Sequence, residues 1–108
     1  MITWLKVFSS EKQAIEHLQH GVPRLCILNG RRICLVRINH SFYAVQDACT
    51  HNGESLSKGS VNHLGEIICP WHNYCFNLQT GREMLNRSAE LKVYPVKCHA
   101  DGLYVGIF

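Results

Sequence analysis

Residues 4–8 read Trp-Leu-Lys-Val-Phe, a short run of β-forming apolar side chains interrupted by one Lys, which predicts a first strand. The pattern then changes. Ser10-Glu11-Lys12-Gln13 has the Ser-x-x-Gln form of a capping box, Ala14, Ile15 and Leu18 fall on one helical face, and Gly21 and Pro23 end the pattern, which predicts one short N-terminal helix. From Arg24 onward the signals are β. Runs at 25–28 and 32–38 flank Asn29-Gly30, a pair that suits a type I′ hairpin turn because it accepts positive φ at both central positions. Asn39-His40 predicts the next turn and residues 42–46 the next strand. Residues 91–96 and 103–107 predict two more, joined by Asp101-Gly102.

Residues 47–80 break this regularity. Gly53, Gly59 and Gly65 punctuate them, with Gly81 just beyond, and polar side chains dominate the first half. Ile67-Ile68-Cys69 and Tyr74-Cys75-Phe76 predict a short hairpin, and His63 reads as a surface loop residue. A chain of 108 residues is expected to form one domain, 1–108, with about 47–80 as an inserted subdomain between strands of a base. Many short strands with turn signals predict an all-β antiparallel sandwich. No apolar run approaches the roughly 18 residues of a membrane span, and residues 1–10 lack a signal peptide's basic start and apolar centre, so a cytoplasmic protein without a membrane partner is expected. The net charge of +3 is small and Arg31-Arg32 is its only adjacent basic pair, which argues against nucleic acid.

The chemistry lies inside residues 47–80. Cys49-Thr50-His51 is followed, after seventeen residues, by Cys69-Pro70-Trp71-His72, so each box offers one thiolate and one imidazole. Sulfur and nitrogen donors suit zinc or iron-sulfur clusters and exclude calcium and magnesium, which take oxygen. Zinc sites of this composition usually pair two cysteines in one box and two histidines in the other. Here both boxes are mixed, which fits a binuclear cluster with two thiolates on one iron and two imidazoles on the other. A structural zinc module that binds a partner protein stays open as the rival, and colour separates the two. Cys26 and Cys34 sit in apolar runs, and with Cys75 and Cys98 they are expected to be free buried thiols rather than disulfides. His17 and His20 read as surface residues and His40 as a turn residue.

The two boxes, their separation, the Cys-Pro-Trp-His wording and the following Phe76-Asn77-Leu78-Gln79-Thr80-Gly81 closely resemble a Rieske-type ferredoxin, over nearly the whole chain. The resemblance implies a Rieske-like β-sandwich with an inserted cluster-binding subdomain. It also implies one [2Fe-2S] cluster per chain, on Cys49, His51, Cys69 and His72. His51 and His72 would lie at an exposed tip, with Leu56, Pro70 and Trp71 shielding the cluster. Where high-potential relatives carry a disulfide, this chain has Glu54 and Trp71. Where they place Ser and Tyr hydroxyls near sulfur it has Tyr74 and Phe76, which implies a low-potential ferredoxin near −150 mV, on the order of the bottom of the Rieske window. Residues 85–90 replace a Gly-Pro-rich covering loop of some relatives. The implied role is electron transfer from a flavin-containing reductase to a terminal oxygenase, and not catalysis, since neither a mononuclear iron site nor a nucleotide fingerprint is present. The small subunit of a cytoplasmic NAD(P)H nitrite reductase is the alternative.

Overall fold

A computed structural model describes residues 1–108. Its architecture follows from one strand, β3 (Arg31–Ile38). Successive strand side chains point to opposite faces, so an unbroken apolar run needs cover on both sides. Ile33, Cys34, Leu35 and Val36 are all buried, and they divide between two clusters. Ile33 and Leu35 pack with Leu18, Ala44, Tyr94, Val105 and Ile107. Cys34 and Val36 pack with Val45, Cys49, Leu56, Ile67, Cys69, Phe76, Leu78 and Leu91.

The sheet containing β3 is therefore a middle layer. It runs in the order β2 (Arg24–Leu28), β3, β4 (Ser41–Gln46), β8 (Val93–Tyr94). One face meets a three-stranded sheet of β1 (Thr3–Phe8), β10 (Gly102–Ile107) and β9 (Val96–His99), together with residues flanking the helix α1 (Glu11–His17). The other face meets a small sheet of β5 (Ser60–Val61), β6 (Glu66–Ile68) and β7 (Cys75–Asn77), plus a 3₁₀ turn at Leu56–Lys58. All strand pairs are antiparallel, as expected, and one short helix accompanies them. No helix is long and apolar enough to cross a membrane.

Most predicted elements appear where their local chemistry places them. Ser10 caps α1, its hydroxyl accepting the Gln13 N–H at 3.0 Å. The return bond of the box goes to Ser9, whose N–H donates to Gln13 Oε1 at 2.6 Å. Asn29 and Gly30 turn the β2–β3 hairpin with φ of 50° and 75°. Three expectations need correction. Residues 91–96 are not one strand, because Pro95 has no N–H to continue a ladder; β8 pairs with β4, and after Pro95 the chain enters the other sheet as β9. The β9–β10 turn is Ala100-Asp101, one residue earlier than predicted, with Gly102 already in β10. Cys98 is exposed, since the solvent side of β9 carries it, and Cys26 and Cys75 are only half-buried; Cys34 alone of the four thiols outside the boxes is fully buried.

Candidate metal centre

Each box sits in a loop whose shape is set by its own backbone. The first follows β4 through Asp47, a buried carboxylate that accepts the Ser55 hydroxyl at 2.5 Å and the Ser57 N–H at 2.9 Å. Arg32 lies 3.5 Å from the same carboxylate. Within the loop the Cys49 N–H donates to the Glu54 carbonyl at 2.8 Å and the Gly53 N–H to the Cys49 carbonyl at 2.7 Å. Gly53 closes this circuit at φ 79°, a conformation that costs glycine little. The second box is the turn of the predicted β6–β7 hairpin. Ile68 faces Cys75 at its end, and the Cys69 N–H donates to the Tyr74 carbonyl at 2.8 Å. His72 and Asn73 reverse the chain in the left-handed region, with φ of 70° and 56°.

These loops set the four residues singled out by spacing in two pairs, Cys49 with Cys69 inward and His51 with His72 outward. Cys49 and Cys69 are buried in the apolar cluster below the loops. His51 and His72 are exposed, with ring centroids 5.2 Å apart and planes at 65°. Burial pushes the Cys69 thiol up to about 11 and the neighbouring Cys49 adds to this, while the Trp71 backbone N–H works in the other direction. Such a thiol is protonated at neutral pH until a metal displaces the proton. No three His, Cys, Asp or Glu side chains converge as a single ion would need. A binuclear cluster, with one pair of ligands on each iron, does not require that.

Around the boxes lie contacts that spacing does not announce. The Tyr74 ring stacks on His51 at 4.0 Å and 13°. The Arg87 guanidinium lies 3.8 Å from the Tyr74 centroid, necessarily on the opposite face. Arg87 is held by Glu83 through Nε to Oε1 at 3.0 Å and Nη2 to Oε2 at 2.7 Å. These bonds keep the buried Glu83 carboxyl down at about 2 despite desolvation, which opposes them. Thr50 adds a second tie to the same segment, its Oγ1 2.6 Å from Ser88 Oγ and 2.5 Å from the Ala89 carbonyl. Residues 83–89 thus buttress the first box. Of the three residues expected to shield the centre, only Leu56 is interior. Pro70 is exposed, and Trp71, 57% exposed, stacks beside His72 at 5.7 Å and 7°. Glu83 and Arg87 were legible only as an opposite-charge pair four residues apart. Asn52 gave no signal beyond its place after His51, yet its Nδ2 is buried without an acceptor. Two inward thiols, two outward imidazoles and an unpartnered buried amide N–H₂ beside them fit a group made of iron and sulfide.

The family model described as "Rieske [2Fe-2S] domain" matches residues 4–95. Ferredoxin CarAc of Metapseudomonas resinovorans is 32% identical over 105 residues, 94% of this chain and 92% of that protein. Apoptosis-inducing factor 3 of Homo sapiens is 34% identical over 92 residues, 84% of this chain. The chain spans only 15% of that protein and 11% of its Mus musculus counterpart. Among solved structures, the complex of reduced oxygenase and oxidized ferredoxin in carbazole 1,9a-dioxygenase matches with a TM-score of 0.79 and 32% identity, covering 94% of this chain and 91% of that one. A structure described as an NADH-dependent nitrite reductase small subunit from Mycobacterium tuberculosis matches with a TM-score of 0.85 over 100% and 97% of the two chains; at 22% identity this is a likeness of fold. A chain matched by this family model over residues 4–95, with a full-length ferredoxin among its relatives, belongs to the Rieske [2Fe-2S] domain family, and its cofactor is a [2Fe-2S] cluster.

Proposed function

We propose that this chain is a one-electron carrier whose cluster is held by Cys49 and Cys69 on one iron and by His51 and His72 on the other, and that it delivers electrons to a terminal oxygenase. The observation that carries the reading is the division of the two boxes into a buried thiol pair and an exposed imidazole pair. When bound, the cluster supplies a place to store one electron, at a potential raised by imidazole ligation. The protein does the rest. Cys49 and Cys69 anchor the group from below in an apolar bed that keeps water from the sulfur side. His51 and His72 face solvent, so a partner can approach to within a short distance of the iron they hold. Tyr74 and Arg87 hold the His51 ring in one orientation.

Residues about 47–80 serve as the cluster-binding part of one domain spanning 1–108. The reading of the acceptor is supported by the ferredoxin–oxygenase complex, whose ferredoxin is 32% identical to this chain. The electron source is a flavin-containing reductase, and six unpaired cysteines suit a reducing cytoplasm. Nitrite reductase small subunits share the fold, but the relative matched over most of its own length at 32% identity is a ferredoxin. The test is spectroscopic and kinetic. Purified protein should be reddish-brown, paramagnetic after one-electron reduction, and reoxidised by a Rieske-type oxygenase at a rate that rises with oxygenase concentration. A colourless protein holding one zinc per chain would overturn the reading.

A further inference from the structure

The side chain of Asn52 has two ends with different fates. Its Oδ1 accepts the Glu54 N–H at 2.9 Å, and because that N–H can only donate, the oxygen end of the amide is fixed. The same oxygen lies 3.9 Å from Cys69 Sγ, which places the amide of the first loop against the thiol of the second. The other end, Nδ2, is the one buried side-chain nitrogen or oxygen in the molecule with no hydrogen-bond partner. Burying an amide N–H₂ without an acceptor is unfavourable, so an unpaired group of this kind calls for an explanation. The surroundings supply none. Cys69 Sγ meets the oxygen end of the amide, not Nδ2, and the cluster that holds Cys69 adds only the apolar Cys49, Leu56 and Phe76. Once Cys69 is a metal-bound thiolate it can no longer donate to Asn52 Oδ1. It becomes an acceptor, and the inorganic sulfides of a [2Fe-2S] cluster are acceptors as well.

We infer that Asn52 Nδ2 donates a hydrogen bond to an inorganic sulfide of the cluster, and so raises the reduction potential. The inference rests on the cluster reading above. An N–H aimed at sulfur stabilises the negative charge that arrives on reduction more than it stabilises the oxidised state, so it raises the potential. Asn52 is a positioning and tuning residue rather than a ligand. It offsets part of what is lost with Phe76, which stands where a hydroxyl donor would and is buried without one.

The test uses the whole protein with its cluster. Asn52→Leu keeps the approximate size and removes the donor; Asn52→Asp removes the donor and adds negative charge. Both should retain the visible spectrum, with a midpoint below that of the wild type in Asn52→Leu and lower again in Asn52→Asp. A role confined to loop folding would change cluster content or thermal stability without this ordered shift. A second measurement needs no stable variant. In reduced wild-type protein grown with asparagine labelled by ¹⁵N at the side-chain amide, pulsed EPR should detect a weak nitrogen coupling distinct from the stronger imidazole couplings. Unchanged midpoints in coloured variants, or no such coupling in a coloured wild type, would overturn the assignment and leave the carrier reading intact. A colourless wild type would overturn both.

Discussion

The two faces of β3 are built from the same kinds of residue and covered in opposite ways. Ile33 and Leu35 point to a layer made of β1 and β10, six residues each and paired along nearly their whole length. Cys34 and Val36 point to a layer whose strands β5, β6 and β7 have two, three and three residues. Strands that short have little stability of their own. The first layer is held by regular pairing. The second is held by what lies beneath it and by loop hydrogen bonds, chiefly those to Asp47 and within residues 49–54. The contrast suits the function: one side of the middle sheet keeps a shape, and the other presents two loops with four donor side chains at a defined separation.

The sharpest way to break this comparison uses two buried thiols of the same apolar cluster, Cys34 and Cys69. Cys69→Ser, like alanine at Cys49, His51 or His72, should abolish the visible absorption completely. Cys34→Ser should keep it. The cost there should be stability alone, about 1–3 kcal/mol for burying a hydroxyl, read by denaturant unfolding. Loss of colour in Cys34→Ser with colour kept in Cys69→Ser would reverse the ligand assignment.

Core truncations on the two faces should then separate stability from site integrity. Phe76→Ala, on the site side, should cost about 3–5 kcal/mol and lower the iron bound per chain. Ile33→Ala, on the base side, should cost about 2–5 kcal/mol and leave the midpoint potential and spectrum of the folded fraction unchanged. Denaturant melts combined with iron analysis check both. A Phe76→Ala protein with full iron occupancy would show that the loops keep their separation without that bed.

The same contrast explains what could be read from the chain beforehand. The base side carries local signals: the β-forming run at 4–8, Asn29-Gly30 and the apolar run of β3 each have a local physical cause, and each appears in the fold as a strand or turn. Where a local pattern is interrupted by one residue the reading failed, as at Pro95, because the apolar character of 91–96 persists while the hydrogen bonding does not. On the site side, the four residues proposed as donors could be singled out because metal chemistry restricts residue type and spacing. Their supports could not. Tyr74, Glu83 and Arg87 act through stacking and charge across two loops, and Asn52 through a single buried amide; neither has a period. Trp71 is exposed beside His72, on the outer side of the second loop.

The smallest effect sharpens the comparison on the side of the buttress. The Glu83 carboxyl titrates at about 2 in the folded protein against 4.5 ordinarily, because Arg87 donates to it. A depressed folded-state pKa means stability that is present above about 4.5 and lost as pH falls toward 2. Arg87 is 37% exposed, so solvent screens the pair and its worth is modest. Glu83→Gln should therefore lower the Tm at pH 7 by roughly 4–8 °C, the shift that about 1 kcal/mol produces in a domain of this size. That difference from wild type should narrow steadily below pH 4.5. Since Glu83 holds Arg87, and Arg87 backs the Tyr74 ring that stacks on His51, the variant should also loosen the first box at pH 7. Amide exchange at 49–54 should quicken in Glu83→Gln while exchange in β3 stays unchanged. Equal quickening at both places would mean that the buttress stabilises the whole fold, and that the two faces are less independent than their construction implies.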